Sequence, residues 1–188
     1  MKNKALRCAM RILPVLALAM GSGAQAQTPQ HMKFTGVIGD YTPASTPTTV
    51  AGPWEVRGTW TMTVNGNSGK ADFSAALTMV RSDLGVMQNG GDLNNPSYRN
   101  AHTHNITLTG GAVTAVQTGG FQVTGAATIT GNGAFPPPFG GNSTLTIVVS
   151  GGNSVTYSNI AVTFQDDSAA HFGTSPLHGV VRSAVPSE

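Results

Sequence analysis

Two imidazoles one residue apart, His102 and His104 in the stretch NAHTHNITLTG, are the side chains of this sequence best suited to do chemistry. In an extended strand, residues two apart project from the same face. His102 and His104 therefore share a face with Ile106 and Leu108, while Thr103, Asn105, Thr107 and Thr109 take the other. If the aliphatic face is the core face, both rings point inward near one end of their strand. Inward imidazoles are costly unless each ring nitrogen finds a partner, and a metal ion supplies one.

A histidine pair of this spacing offers two nitrogen ligands, and a metal site needs at least a third. The chain has five histidines, and the remaining candidates lie in DDSAAHFGTSPLHGVVR: His171 and His178, with Asp166 or Asp167 as further options. His178 opens the apparent last strand as His102 opens its own. The expected metal set is therefore His102, His104, His178 and His171, gathered where those strand ends meet. His31 is expected to lie outside it, in the terminal segment. Imidazole-rich ligation suits zinc, copper, iron or nickel better than calcium or magnesium. The competing reading is that these histidines are structural, hydrogen-bonded to polar groups at a rim, or line a metal-free ligand or acid-base site.

Across His102-Thr103-His104 the motif resembles the ligand pair of cupins and of copper/zinc superoxide dismutases, both all-β folds. The cupin pattern carries a carboxylate a few residues later, where this chain reads NITLTGG. The dismutase pattern expects further histidines soon downstream and a disulfide; here the next histidine is His171 and Cys8 is the only cysteine. Neither family is assigned on three residues.

The elements that must position these side chains are strands. In WEVRGTWTMTV, Trp54, Val56, Trp60, Met62 and Val64 alternate with Glu55, Arg57, Thr59, Thr61 and Thr63, the period of a half-buried strand. ADFSAALTMVR follows, with NGNSG between them supplying the Asn and Gly that a hairpin turn requires. FQVTGAATIT and STLTIVVS alternate likewise, and SVTYSNIAVTF changes parity near Ser158 and Asn159, which a bulge or bend would explain. No stretch has helical periodicity. An antiparallel barrel or sandwich of about eight to ten strands is expected. Loops are expected at 41–53, 86–101 and 133–142, the second leading into the histidine pair.

The first residues read as a secretory signal: Lys2, Lys4, Arg7 and Arg11, an apolar run from Ile12 to Met20, and an Ala-x-Ala ending that predicts cleavage after Ala26. Residues 27–188 then form one all-β domain, secreted or periplasmic. The apolar run falls short of the roughly 20 residues a membrane span needs. Ten Lys and Arg less those four leave six against eight acidic residues, so no basic patch for nucleic acid is expected. Serine catalysis lacks a nucleophile elbow. Glu55, Asp72 and Asp83 offer carboxylates, but Glu55 and Asp72 lie on the polar parity.

The sequence thus points to an exported all-β protein with a histidine-lined metal or small-ligand site, suited to a metal-dependent small-molecule enzyme. The alternative is a non-catalytic secreted module that binds a small molecule or an extracellular polymer and whose histidines are structural.

Overall fold

The computed structural model describes residues 30–43, 54–81, 101–116, 119–131, 143–151 and 157–187. Eight antiparallel strands pair with their chain neighbours, and the last returns to the first to close a barrel. In order they are β1 (His31–Tyr41), β2 (Trp54–Asn65), β3 (Lys70–Arg81), β4 (Ala101–Val116), β5 (Gly120–Gly131), β6 (Ser143–Ser150), β7 (Asn159–Phe164) and β8 (Leu177–Pro186). Closure leaves no unpaired edge, and an interior of this strand number is just wide enough for side chains to fill. The barrel alternative is therefore realised and the sandwich is not. The signal segment and the expected loops at 86–100 and 133–142 lie outside the described residues, as does most of 41–53.

The alternation seen in the sequence is the in-out alternation of the wall. On β2, Trp54, Val56, Trp60, Met62 and Val64 are buried, while Arg57, Thr59, Thr61 and Thr63 are exposed. The same parity sends Phe34, Phe73, Phe121, Leu145 and Val162 into one continuous core. At the β2–β3 hairpin, Asn65 Oδ1 accepts the Ser68 N–H at 3.2 Å, so NGNSG is a turn.

A one-residue irregularity between Leu108 and Ala112 breaks the pairing of β4 with β5, and the pairing with β3 slips at the same place. The Gly110 N–H donates to Asp72 Oδ1 at 2.8 Å there. The bulge lets β4 bury Ile106 and Leu108 before it and Gly111 after it, although their parities differ. Asp72 caps this bulge, and Glu55 pairs with Arg57. Neither carboxylate is left poised for catalysis.

Three features depart from the sequence reading. His31 is no loose terminus: it opens β1 and pairs with Asn65. β7 begins only at Asn159, and Tyr157 lies before the strand with its ring against Phe34 and Phe121, so the parity change marks a strand start. A short helix, α1 (Ala169–Phe172), follows a 3-10 turn at Asp166–Ser168; its length is too small to display a helical period.

The strand ends sort into two barrel ends: one has the turn at 66–69, the end of β4 and the start of β7; the other has the ends of β1, β3, β5 and β7, the starts of β2, β4, β6 and β8, and the segment with α1. The start of β4, with its histidine pair, belongs to the second end.

Candidate metal centre

His102 and His104 both lie on the inward parity of β4, opposite Met79 and Leu77 of β3. His104 is buried at 3% exposure, and His102, one step nearer the end, is half-buried. The third ring comes from outside the sheet. The chain leaves β7 at Phe164, turns through Asp166–Ser168 and enters α1, which carries His171, 8% exposed, under the barrel end.

Local packing fixes α1. Phe172 is fully buried and stacks on Phe164 with ring centroids 4.0 Å apart and planes 16° from parallel. The Ser168 hydroxyl donates to the Gln165 carbonyl at 2.8 Å, and the Gln165 N–H donates to the Thr144 carbonyl of β6 at 3.0 Å. Gly173 ends the helix at φ 86°, left-handed backbone that favours glycine, and its N–H donates to the Ala169 carbonyl. With Phe172 anchored, its neighbour His171 faces the β4 pair.

His171 approaches both rings of the β4 pair through Nε2 atoms. His171 Nε2 lies 3.0 Å from His104 Nε2 and 3.3 Å from His102 Nε2. The ligand nitrogens of all three lie within 4.8 Å of one another. The rings meet at steep angles, 88° for His102 with His104 and 71° for His104 with His171, as ligands around a common point do. His104 also meets Phe172 edge-on at 5.0 Å.

Burial sets the protonation state. Desolvation pushes His104 down to about 3, aided by the charges that His171 and His102 would carry and opposed by a hydrogen bond with the Thr130 backbone. Desolvation takes His171 to about 4, aided by His102, and lowers His102 as well. At neutral pH all three rings are neutral and their nitrogens hold lone pairs. A Cβ at position 131 would stand 3.0 Å from the Thr103 carbonyl oxygen and 3.1 Å from His104 Nδ1, so glycine there lets β5 lie close against the ring.

His178 is placed elsewhere. Leu177 takes the inward position at the start of β8, so His178 faces outward. Its Nδ1 lies 2.7 Å from Asp40 Oδ2, and its N–H donates to the same oxygen at 2.8 Å. Burial raises the Asp40 pKa, but hydrogen bonds from the Tyr41 and His178 backbones, and the His178 ring, bring it below the ordinary value. His178 thus ties β8 to β1 and stands apart from the cluster. Asp166 and Asp167 are exposed and likewise outside it.

One neighbour of the site was not singled out in the sequence for chemistry. Trp54, which opens β2, meets the His102 ring edge-on at 5.0 Å. It is 8% exposed, and its indole N–H is sealed from solvent without a hydrogen-bond partner among the described residues. Its own backbone is held by Thr42, whose hydroxyl accepts the Trp54 N–H and whose N–H donates to the Trp54 carbonyl.

Fold and site together define an eight-stranded antiparallel barrel with a buried cluster of three histidines that could hold a metal ion. No family model, curated protein or solved structure matches this chain.

Proposed function

We propose that His102, His104 and His171 form a transition-metal centre and that the protein is an exported, metal-dependent enzyme acting on a small molecule. The observation that carries this reading is the approach of His171 Nε2 to the Nε2 atoms of both His102 and His104, with ligand nitrogens of all three within 4.8 Å of one another. Tetrahedral ligands at about 2.0–2.1 Å from an ion are separated by roughly 3.3 Å. The two His171 contacts, 3.0 and 3.3 Å, stand at about that separation.

The same contacts are awkward for free imidazoles. His171 Nε2 faces two other Nε2 atoms, and a neutral ring nitrogen has either one proton to give or one lone pair to receive it. A cation attracts all three lone pairs at once. The donor set is nitrogen alone, which favours zinc, copper, iron or nickel. Three protein ligands leave a coordination position for water or substrate, the arrangement of catalytic rather than structural zinc sites. An ion so held polarises a carbonyl or activates a water molecule. Export through the signal at residues 1–26 and action on a small-molecule substrate belong to the same proposal.

The test is metal analysis of the purified protein after growth and reconstitution with each of the four metals. One equivalent per chain in the wild type, lost in His102→Ala and His104→Ala, is the expected result. A wild-type protein that retains no stoichiometric metal under any of these supplements overturns the proposal.

A further inference from the structure

We infer that the coordination position left open by the three histidines faces Trp54 and takes a small anion, whose donor atom accepts a hydrogen bond from the Trp54 indole N–H. This inference rests on the metal centre proposed above.

Charge is the first argument. A divalent ion held by three neutral imidazoles keeps its full charge, and no carboxylate among the described residues joins the cluster. Such a charge is poorly tolerated where His104 and His171 are almost wholly covered. An anionic fourth ligand reduces it.

Geometry supplies the direction. Phe172 meets both His104 and His171 at 5.0 Å, and the Thr130 backbone and Gly131 lie against His104, so these two rings are backed by protein. His102 is the most accessible of the three, and the ring against its edge is Trp54. Trp54 therefore stands against the least covered of the three rings.

Trp54 itself is the independent observation. A buried indole N–H ordinarily finds an acceptor. At Trp54 no described residue provides one. An anion on the ion would satisfy it, and the low-dielectric setting would strengthen that bond. Trp60 also buries an N–H without a partner, but it lies within the β2 core with its ring beside Phe73 and Gly36, away from the histidines. It serves as the internal control. The class of ligand is a small anion with one exposed oxygen or nitrogen donor, such as hydroxide, a carboxylate or azide.

The experiment uses the full chain loaded with cobalt(II) and titrated with sodium azide, following the visible absorption of the ion. The wild type should show a saturable spectral change. Trp54→Phe should bind cobalt as the wild type does but azide roughly tenfold more weakly, in line with the loss of one hydrogen bond to a charged acceptor. Trp60→Phe should bind azide normally. In parallel, on the zinc-loaded wild type, azide should move the Trp54 indole N–H resonance and leave that of Trp60 in place, a readout that does not depend on the variant folding.

Cobalt binding without any response to azide, or equal azide affinity in Trp54→Phe with an unmoved indole resonance, overturns this inference and leaves the metal centre standing. Failure to bind cobalt or zinc overturns this inference, and failure to retain any of the four metals tested above overturns the metal centre as well.

Discussion

His171 is the residue on which the cluster depends, because its Nε2 is the atom that touches both others. Replacing it with alanine should lower metal affinity by more than the roughly 10- to 100-fold typical of losing a supporting contact around a metal ligand. His178→Ala should leave affinity unchanged, since that ring is exposed and bound to Asp40. Competition titration against a chelator of known affinity distinguishes the two. Protonation gives a second expectation at this scale. His104 and His171 have pKa values near 3 and 4 in the folded protein, below the ordinary 6.5, so between these limits the unfolded chain binds more protons. Their contribution to stability is therefore complete above about pH 6.5 and is lost as pH falls through that window, at about 1.4 kcal/mol per pH unit for each proton taken up on unfolding. Urea denaturation of metal-free protein at pH 7, 5.5 and 4.5 should show this decline. His104→Phe, which cannot take up the proton, should flatten it. The direction of His102 and His104 was legible in the sequence because Ile106 and Leu108 continue their parity. That of His178 was not: apolar residues flank it on both parities, Leu177 and Val181 on one and Val180 on the other, so nothing marked which face was inside.

Element by element, the site is a meeting of one strand and one short plug. β4 supplies two ligands by simple alternation, whereas α1 supplies the third only because Phe172 seats it against Phe164. Removing that anchor should separate the two contributions. Phe172→Ala is expected to cost about 3–5 kcal/mol, as for other buried Phe truncations, and to weaken metal binding together with stability. Asp167→Ala, on the same segment but exposed, should alter neither. Chemical denaturation and the chelator titration, run on both variants, check this. β2, β5 and β6 declared themselves through repeated alternation, whereas β1 was not read as a strand; a helix of the four residues Ala169–Phe172 spans barely one turn and leaves no repeat to detect. His171 could be listed as a candidate from its type alone. Its position depended on Phe172, Ser168 and Gly173 acting together, and none of these carries a sequence signature of a metal site.

At the scale of the whole barrel, the ladder and the metal centre are separable. Every strand pairs with both neighbours from β1 around to β8, and the core residues Phe34, Trp60, Phe73 and Phe121 pack in the barrel core without help from the histidines. This differs from small zinc-organised domains, in which the ligands supply most of the folding energy. The metal-free protein should therefore be folded, with one cooperative thermal transition and an unchanged β-type circular dichroism spectrum. Because a ligand that binds only the folded state stabilises it by mass action, metal at a hundredfold excess over its Kd should add about 2.7 kcal/mol. For a chain of this size that corresponds to a rise in Tm of about 5–11 °C, at roughly 2–4 °C per kcal/mol. A strong chelator should return the transition to its metal-free value, and His104→Ala should show no metal-dependent rise at all. Differential scanning calorimetry with and without metal measures each of these. A metal-free chain lacking any cooperative transition would instead mean that the ion holds the barrel end together, and that the ring cluster belongs to the fold before it belongs to any chemistry.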